Sequence, residues 1–97
     1  MPIEITTRHV EIDETIKTMT REKAERLTEK FPDIEFIHAV LDKDGPFFTA
    51  MIAVQGGHNG KTEGTGSKPG IIEAVQDAFE KAEAQLRKNE QRKRESR

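Results

Sequence analysis

The chain has 97 residues, of which 35% are charged and 33% hydrophobic, with no Cys, Trp or Tyr and a net charge of −2 at pH 7. A chain this short supports one domain and one modest core, since only about 60–65% of its unfolded surface can be buried. It has no apolar run of the roughly 18–20 residues a membrane helix needs, no signal-peptide core in Met1–Val10, and no cysteine for a disulfide, thiolate metal site or thiol nucleophile. A soluble, cytoplasmic single domain over residues 1–97 is the expectation.

Pro2–Thr6 alternates, with Ile3 and Ile5 on one side, and predicts a short strand. Asp13 follows as a helix N-cap, and Ile16, Met19, Thr20, Lys23, Leu27 and Phe31 then recur at helical spacing until Pro32. This spacing predicts a helix over 13–31. Ile34–Leu41 reads as a strand with Phe36, His38 and Val40 on one face and Ile37, Ala39 and Leu41 on the other. Asp42–Pro46 supplies turn residues, and Phe47–Gln55 is a second central strand. Gly56–Gly60 signals a hairpin into a polar edge strand at Lys61–Thr65, weakened by its glycines.

A second helix starts near Pro69 or Gly70 and carries the apolar stripe Ile71, Ile72, Val75, Ala78, Phe79, Ala82 and Leu86. Asn89–Arg97 has no apolar residue and is expected to fray as a basic tail. The order β-α-β-β-β-α predicts an α+β two-layer sandwich. Its sheet would be four-stranded and mostly antiparallel, with both helices on one face.

Net charge conceals an asymmetry. Residues 1–66 carry eight Lys/Arg against twelve Asp/Glu, whereas residues 67–97 carry eight against six. On the first helix Glu14, Glu22, Glu25 and Glu29 fall opposite the apolar face, while Lys17 and Arg21 flank it on one side and Arg26 and Lys30 on the other. Lys23 lies beside the stripe, where its stem packs and its ammonium reaches solvent. On the second helix Lys81, Lys88 and Arg92 recur at i, i+7 and i+11, apart from Glu73, Asp77 and Glu80. Such a stripe can meet phosphates, although lysines and arginines at reachable positions are a weak signature.

Other motifs do not hold together. Asp42-Lys43-Asp44-Gly45 opens like a calcium loop, but position 5 is Pro46 and position 12 is Ala53. The glycine-rich segments lack the phosphate-loop spacing. His9, His38 and His58 show no metal-ligand spacing, and neither Ser67 nor Ser96 sits in a nucleophile elbow. No acid, base and oxyanion site assembles, so neither an enzyme nor a cofactor or metal is expected. Phe47 and Phe48 alternate, so one of them is a candidate for exposure, but a single Phe makes no stacking platform for RNA.

Taken together, several segments resemble a known family. They are Ile3-Glu4-Ile5-Thr6 with His9-Val10-Glu11-Ile12, then Lys23-Ala24-Glu25-Arg26-Leu27 with Lys30-Phe31, then Val54-Gln55-Gly56-Gly57. The second helix adds Ile71-Ile72-Glu73-Ala74-Val75-Gln76-Asp77 and Lys81-Ala82-Glu83-Ala84-Gln85-Leu86-Arg87-Lys88. In order and spacing these resemble the ribosome hibernation-promoting factors and ribosome-associated inhibitors, formerly described as sigma-54 modulation proteins, in their short form. Ile72 stands where the family has Tyr, and Thr7 where it has Gly.

The resemblance implies a translation inhibitor of stress or stationary phase that occupies the mRNA and tRNA decoding channel of the small ribosomal subunit and stabilises idle ribosomes. It implies rRNA contact through Lys17, Lys23, Arg26, Lys81, Lys88 and Arg92. The alternatives are a protein-interaction module and a free double-stranded RNA-binding domain of the same topology.

Overall fold

The computed structural model describes residues 2–56 and 60–95, with side chains through Asn89. The elements are β1 (Ile3–Arg8), α1 (Glu14–Lys30), β2 (Ile34–Asp44), β3 (Phe47–Gly56), β4 (Lys61–Lys68) and α2 (Ile71–Glu95). The strands form one sheet in the order β1-β2-β3-β4. The β1–β2 pair is parallel, with α1 as the crossover such a pair needs, and the other two pairs are antiparallel. The expected two-layer α+β architecture is therefore present, with a mixed sheet.

α1 runs between the residues that end it in the sequence reading. Asp13 is the N-cap, but only its carbonyl serves: it accepts from the N–H of Ile16 at 3.0 Å and of Lys17 at 3.1 Å, and the Asp13 side chain makes no capping bond. Only Thr20, Ala24 and Leu27 of α1 are buried. Thr20 is tolerated there because its hydroxyl donates to the Ile16 carbonyl at 2.8 Å.

β2 and β3 are each longer than expected. The register continues to Asp44↔Phe47, leaving only Gly45 and Pro46 as the loop. Gly45 has φ +61°. Of the two turns favoured in tight hairpins, only the one with positive φ at its first position alone accepts Pro at its second.

The sheet face toward the helices carries Ile37, Ala39, Leu41, Ala50, Ile52 and Val54, all buried. α2 closes this face with Ala74, Val75, Ala78, Phe79, Ala82 and Leu86. Burying one such large aliphatic side chain contributes about 1.5–3 kcal/mol. α2 lies over β3 and β4, and α1 over β1 and β2.

β4 runs to Lys68 and pairs with β3 along its whole length, three residues beyond the expected end. Its glycines are what seat the helix. A Cβ at Gly64 would overlap the Ala78 carbonyl and stand 2.5 Å from the Ala82 nitrogen; one at Gly66 would stand 2.9 Å from the Ala78 nitrogen. The remaining β4 residues alternate outward as Lys61, Glu63, Thr65 and Ser67, all exposed. α2 passes well beyond Leu86, and Asn89 is buried with its Nδ2 3.4 Å from the Thr62 hydroxyl.

Candidate nucleic-acid interface

Side by side on the sheet, α1 and α2 leave a groove of about 340 Å³ between them. Leu27 and Phe79, both buried, form its apolar floor. The α1 wall carries Lys23, Arg26 and Lys30, and the α2 wall carries Gln76, Glu80 and Glu83. The helical spacing explains the cationic wall: residues 23, 26 and 30 are separated by three and four positions and share one flank.

The groove's charges are arranged unequally. Lys30 Nζ lies 3.4 Å from both Glu83 carboxylate oxygens, joining the two helices. Arg87 Nη2 pairs with Glu83 as well, one turn along α2. Among the described residues, Lys23 and Arg26 have no carboxylate partner. Lys23 is half-buried, its stem packed and its charge toward solvent, and Arg26 is exposed.

The other expected phosphate contacts are elsewhere. Lys17 lies on the opposite flank of α1, about 180° from Arg26 by helical spacing, and pairs with Glu14 at 3.4 Å. Lys81 and Lys88 sit about 140–160° around α2 from Glu83, on the side of β4. Lys81 is not separated from the carboxylates as its sequence stripe suggested: Nζ is 3.2 Å from Asp77 Oδ2 and 3.2 Å from the Thr65 carbonyl. The i, i+4 spacing of Asp77 and Lys81 makes that pair a local one. Lys88 is exposed, and the Arg92 side chain lies outside the described residues. The structure thus gathers Lys23 and Arg26 in the groove and puts Lys81 and Lys88 across the α2 ridge. Lys30 and Arg87, linked through Glu83, were not among the expected contacts. The Glu83–Arg87 spacing is readable in the sequence, but Lys30–Glu83 depends on how the helices pack.

His9 and His38 tie the β1 side of the sheet to β2. His9, at φ +59°, ends β1 and its Nδ1 lies 2.9 Å from Asp42 Oδ1, which also accepts from the Lys43 N–H at 2.7 Å. The His9 hydrogen bond is the main cause holding the Asp42 carboxyl below its usual range. His38 Nε2 is 2.8 Å from the Thr6 hydroxyl and 3.4 Å from Glu4 Oε1. His58 lies outside the described residues. Of the two adjacent phenylalanines, Phe47 is the exposed one, and Phe48 packs against the core under the Lys43 ammonium.

Residues 3–94 match the family model described as sigma 54 modulation protein / S30EA ribosomal protein. The chain belongs to that family. Solved structures share its fold, two of them as follows. A ribosomal subunit interface protein from Coxiella burnetii superposes with a TM-score of 0.84 at 20% identity, covering 93% of this chain and 98% of that one. The Thermus thermophilus Protein Y N-terminal domain superposes with a TM-score of 0.78 at 24% identity, covering 91% and 98%. No curated protein matches the sequence. Within the S30EA family, this member's groove between α1 and α2 brings cations of one helix against carboxylates of the other. Among the described residues no helix is long and apolar enough to cross a membrane.

Proposed function

We propose that this S30EA-family chain is a non-enzymatic translation inhibitor of stress or stationary phase. It binds the small ribosomal subunit in the cytoplasm, occupies the mRNA and tRNA decoding channel and so keeps idle ribosomes intact. The observation that carries this reading is the match of residues 3–94 to a family described as a ribosomal protein. A structural neighbour bearing the description ribosomal subunit interface protein agrees with it.

Lys23 and Arg26 are the leading phosphate contacts, because their charges are not already satisfied by carboxylates in the described structure. Lys88 extends the basic surface along α2, Arg92 is added from its sequence spacing, and Lys17 and Lys81 contribute after giving up their local pairs. Exchanging a condensed counterion for a lysine or arginine releases that counterion, so binding must weaken as salt rises. An inhibitor of this kind needs no reacting group and no cofactor, only a rigid body that excludes other occupants from the channel.

Cosedimentation with purified small subunits at two salt concentrations tests the proposal. Association at low salt that falls steeply at high salt is expected. Absence of association at low salt would overturn the ribosome reading, and salt-independent association would overturn the phosphate mechanism. Binding to free duplex RNA as tight as to subunits would favour the duplex-binding alternative.

A further inference from the structure

We propose that Glu80 and Glu83, on the α2 wall of the groove, are selectivity residues that hold off generic RNA and admit a folded RNA surface offering phosphates to the α1 wall alone. This inference rests on the RNA-binding reading above. Across the width of the groove the sign of charge changes, from Lys23 and Arg26 on α1 to Glu80 and Glu83 on α2. Glu83 is only one-quarter exposed and engages one cation from each helix, Lys30 and Arg87. Each of these cations must give up that pairing before it can bind a phosphate.

A duplex or homopolymer laid in the groove brings phosphates to both walls, and the α2 wall repels them at close range. A folded RNA site can present phosphates on one side and 2′-hydroxyl or exocyclic amino groups on the other. Carboxylates accept hydrogen bonds from those donors, so the same wall that rejects phosphate can accept a base or sugar edge. Specificity of this kind comes from a repulsive element set against the wrong partner, in addition to attraction for the right one.

The test compares wild type with Glu80→Gln/Glu83→Gln for affinity to poly(A)·poly(U) and to purified small ribosomal subunits in the same buffer. Glutamine keeps the side-chain shape and removes the charge. Duplex binding is expected to tighten about tenfold, because Lys30 and Arg87 become free for two phosphate contacts worth roughly threefold each. Subunit binding is expected to stay within about twofold or to weaken, since lost carboxylate acceptors offset the gained contacts.

Equal tightening for both RNAs, or unchanged duplex binding, overturns the selectivity role. Failure of the wild type itself to bind subunits overturns the underlying RNA reading instead. Glu80→Gln alone disturbs no ion pair among the described residues. It is expected to give part of the same shift, and the role falls if that variant, folded by circular dichroism, shows none.

Discussion

Gly64 and Ala78 meet backbone to backbone: a Cβ on Gly64 would overlap the Ala78 carbonyl oxygen. The strand residue that weakens β4 by propensity is therefore the one that lets α2 descend onto the sheet. Ala74, Ala78 and Ala82 recur every four residues on the helix, and Gly64 and Gly66 every two on the strand. The two periods coincide at this contact, and both partners must be small.

Gly64→Ala is accordingly expected to destabilise the fold by at least about 2 kcal/mol, since the clash is with helix backbone that has no rotamer to yield. Thr65→Ala, on the outward face of the same strand, should stay within about 0.5 kcal/mol. Urea denaturation of the two variants checks this. Similar midpoints for both would contradict the close-packing account.

Charge reversal at the groove should separate its cations from those across the α2 ridge. Lys23→Glu/Arg26→Glu is expected to weaken small-subunit binding at least about tenfold and to flatten its dependence on salt, each lost phosphate contact removing roughly 0.7–0.9 from the logarithmic slope. Lys81→Glu should have the smaller effect, because Lys81 already pairs with Asp77 and the Thr65 carbonyl. Filter binding or sedimentation across a salt series reads both numbers.

Acid should loosen the end of β1 through Asp42. Its carboxyl titrates below the usual range, chiefly because His9 donates to it. A folded-state pKa below the unfolded one adds stability that is complete above the ordinary aspartate value of about 3.9 and disappears as pH falls through the lowered folded value. His9→Ala should move the Asp42 titration upward toward its ordinary position and shrink that acid-side loss. Carboxyl NMR titration of wild type and variant decides the matter; an unmoved Asp42 curve would remove His9 as the cause.

Asn89 and Thr62 form a buried polar pair with one loose end. Asn89 Nδ2 is 3.4 Å from the Thr62 hydroxyl, while Asn89 Oδ1 has no hydrogen-bond partner among the described residues. An unsatisfied buried acceptor costs about 1–3 kcal/mol, and replacing both partners with apolar groups of similar shape can be neutral or stabilising. Thr62→Val/Asn89→Leu is expected to melt at or above the wild-type temperature, whereas Asn89→Ala alone should melt lower. Thermal unfolding followed by circular dichroism distinguishes the two outcomes.

Much of the fold was legible because the relevant signals are local. The alternation of Phe36–Leu41 divided β2 into two faces, and Asp13 and Pro32 bracketed α1 within two residues of its ends. Ala24, fully buried, was left out of the α1 stripe although Ala78 and Ala82 were counted on α2. The reach of β4 also escaped, since strand propensity counts Gly64 and Gly66 as breaks. Pairing with β3 overrode that preference.

The candidate site divided along the same line. Spacing alone determined that residues 23, 26 and 30 share a flank of α1, that Lys81 and Lys88 share a side of α2, and that the opening net charge of −2 averages unlike surfaces. Only the tertiary structure decided that Lys30 meets Glu83 across the helices, leaving Lys23 and Arg26 as the groove's unpaired cations among the described residues. Helical periodicity fixes the angle of a side chain about its own axis. Which charge stands opposite it depends on the distance and rotation between two helices, and here those are set by what each helix buries against the sheet.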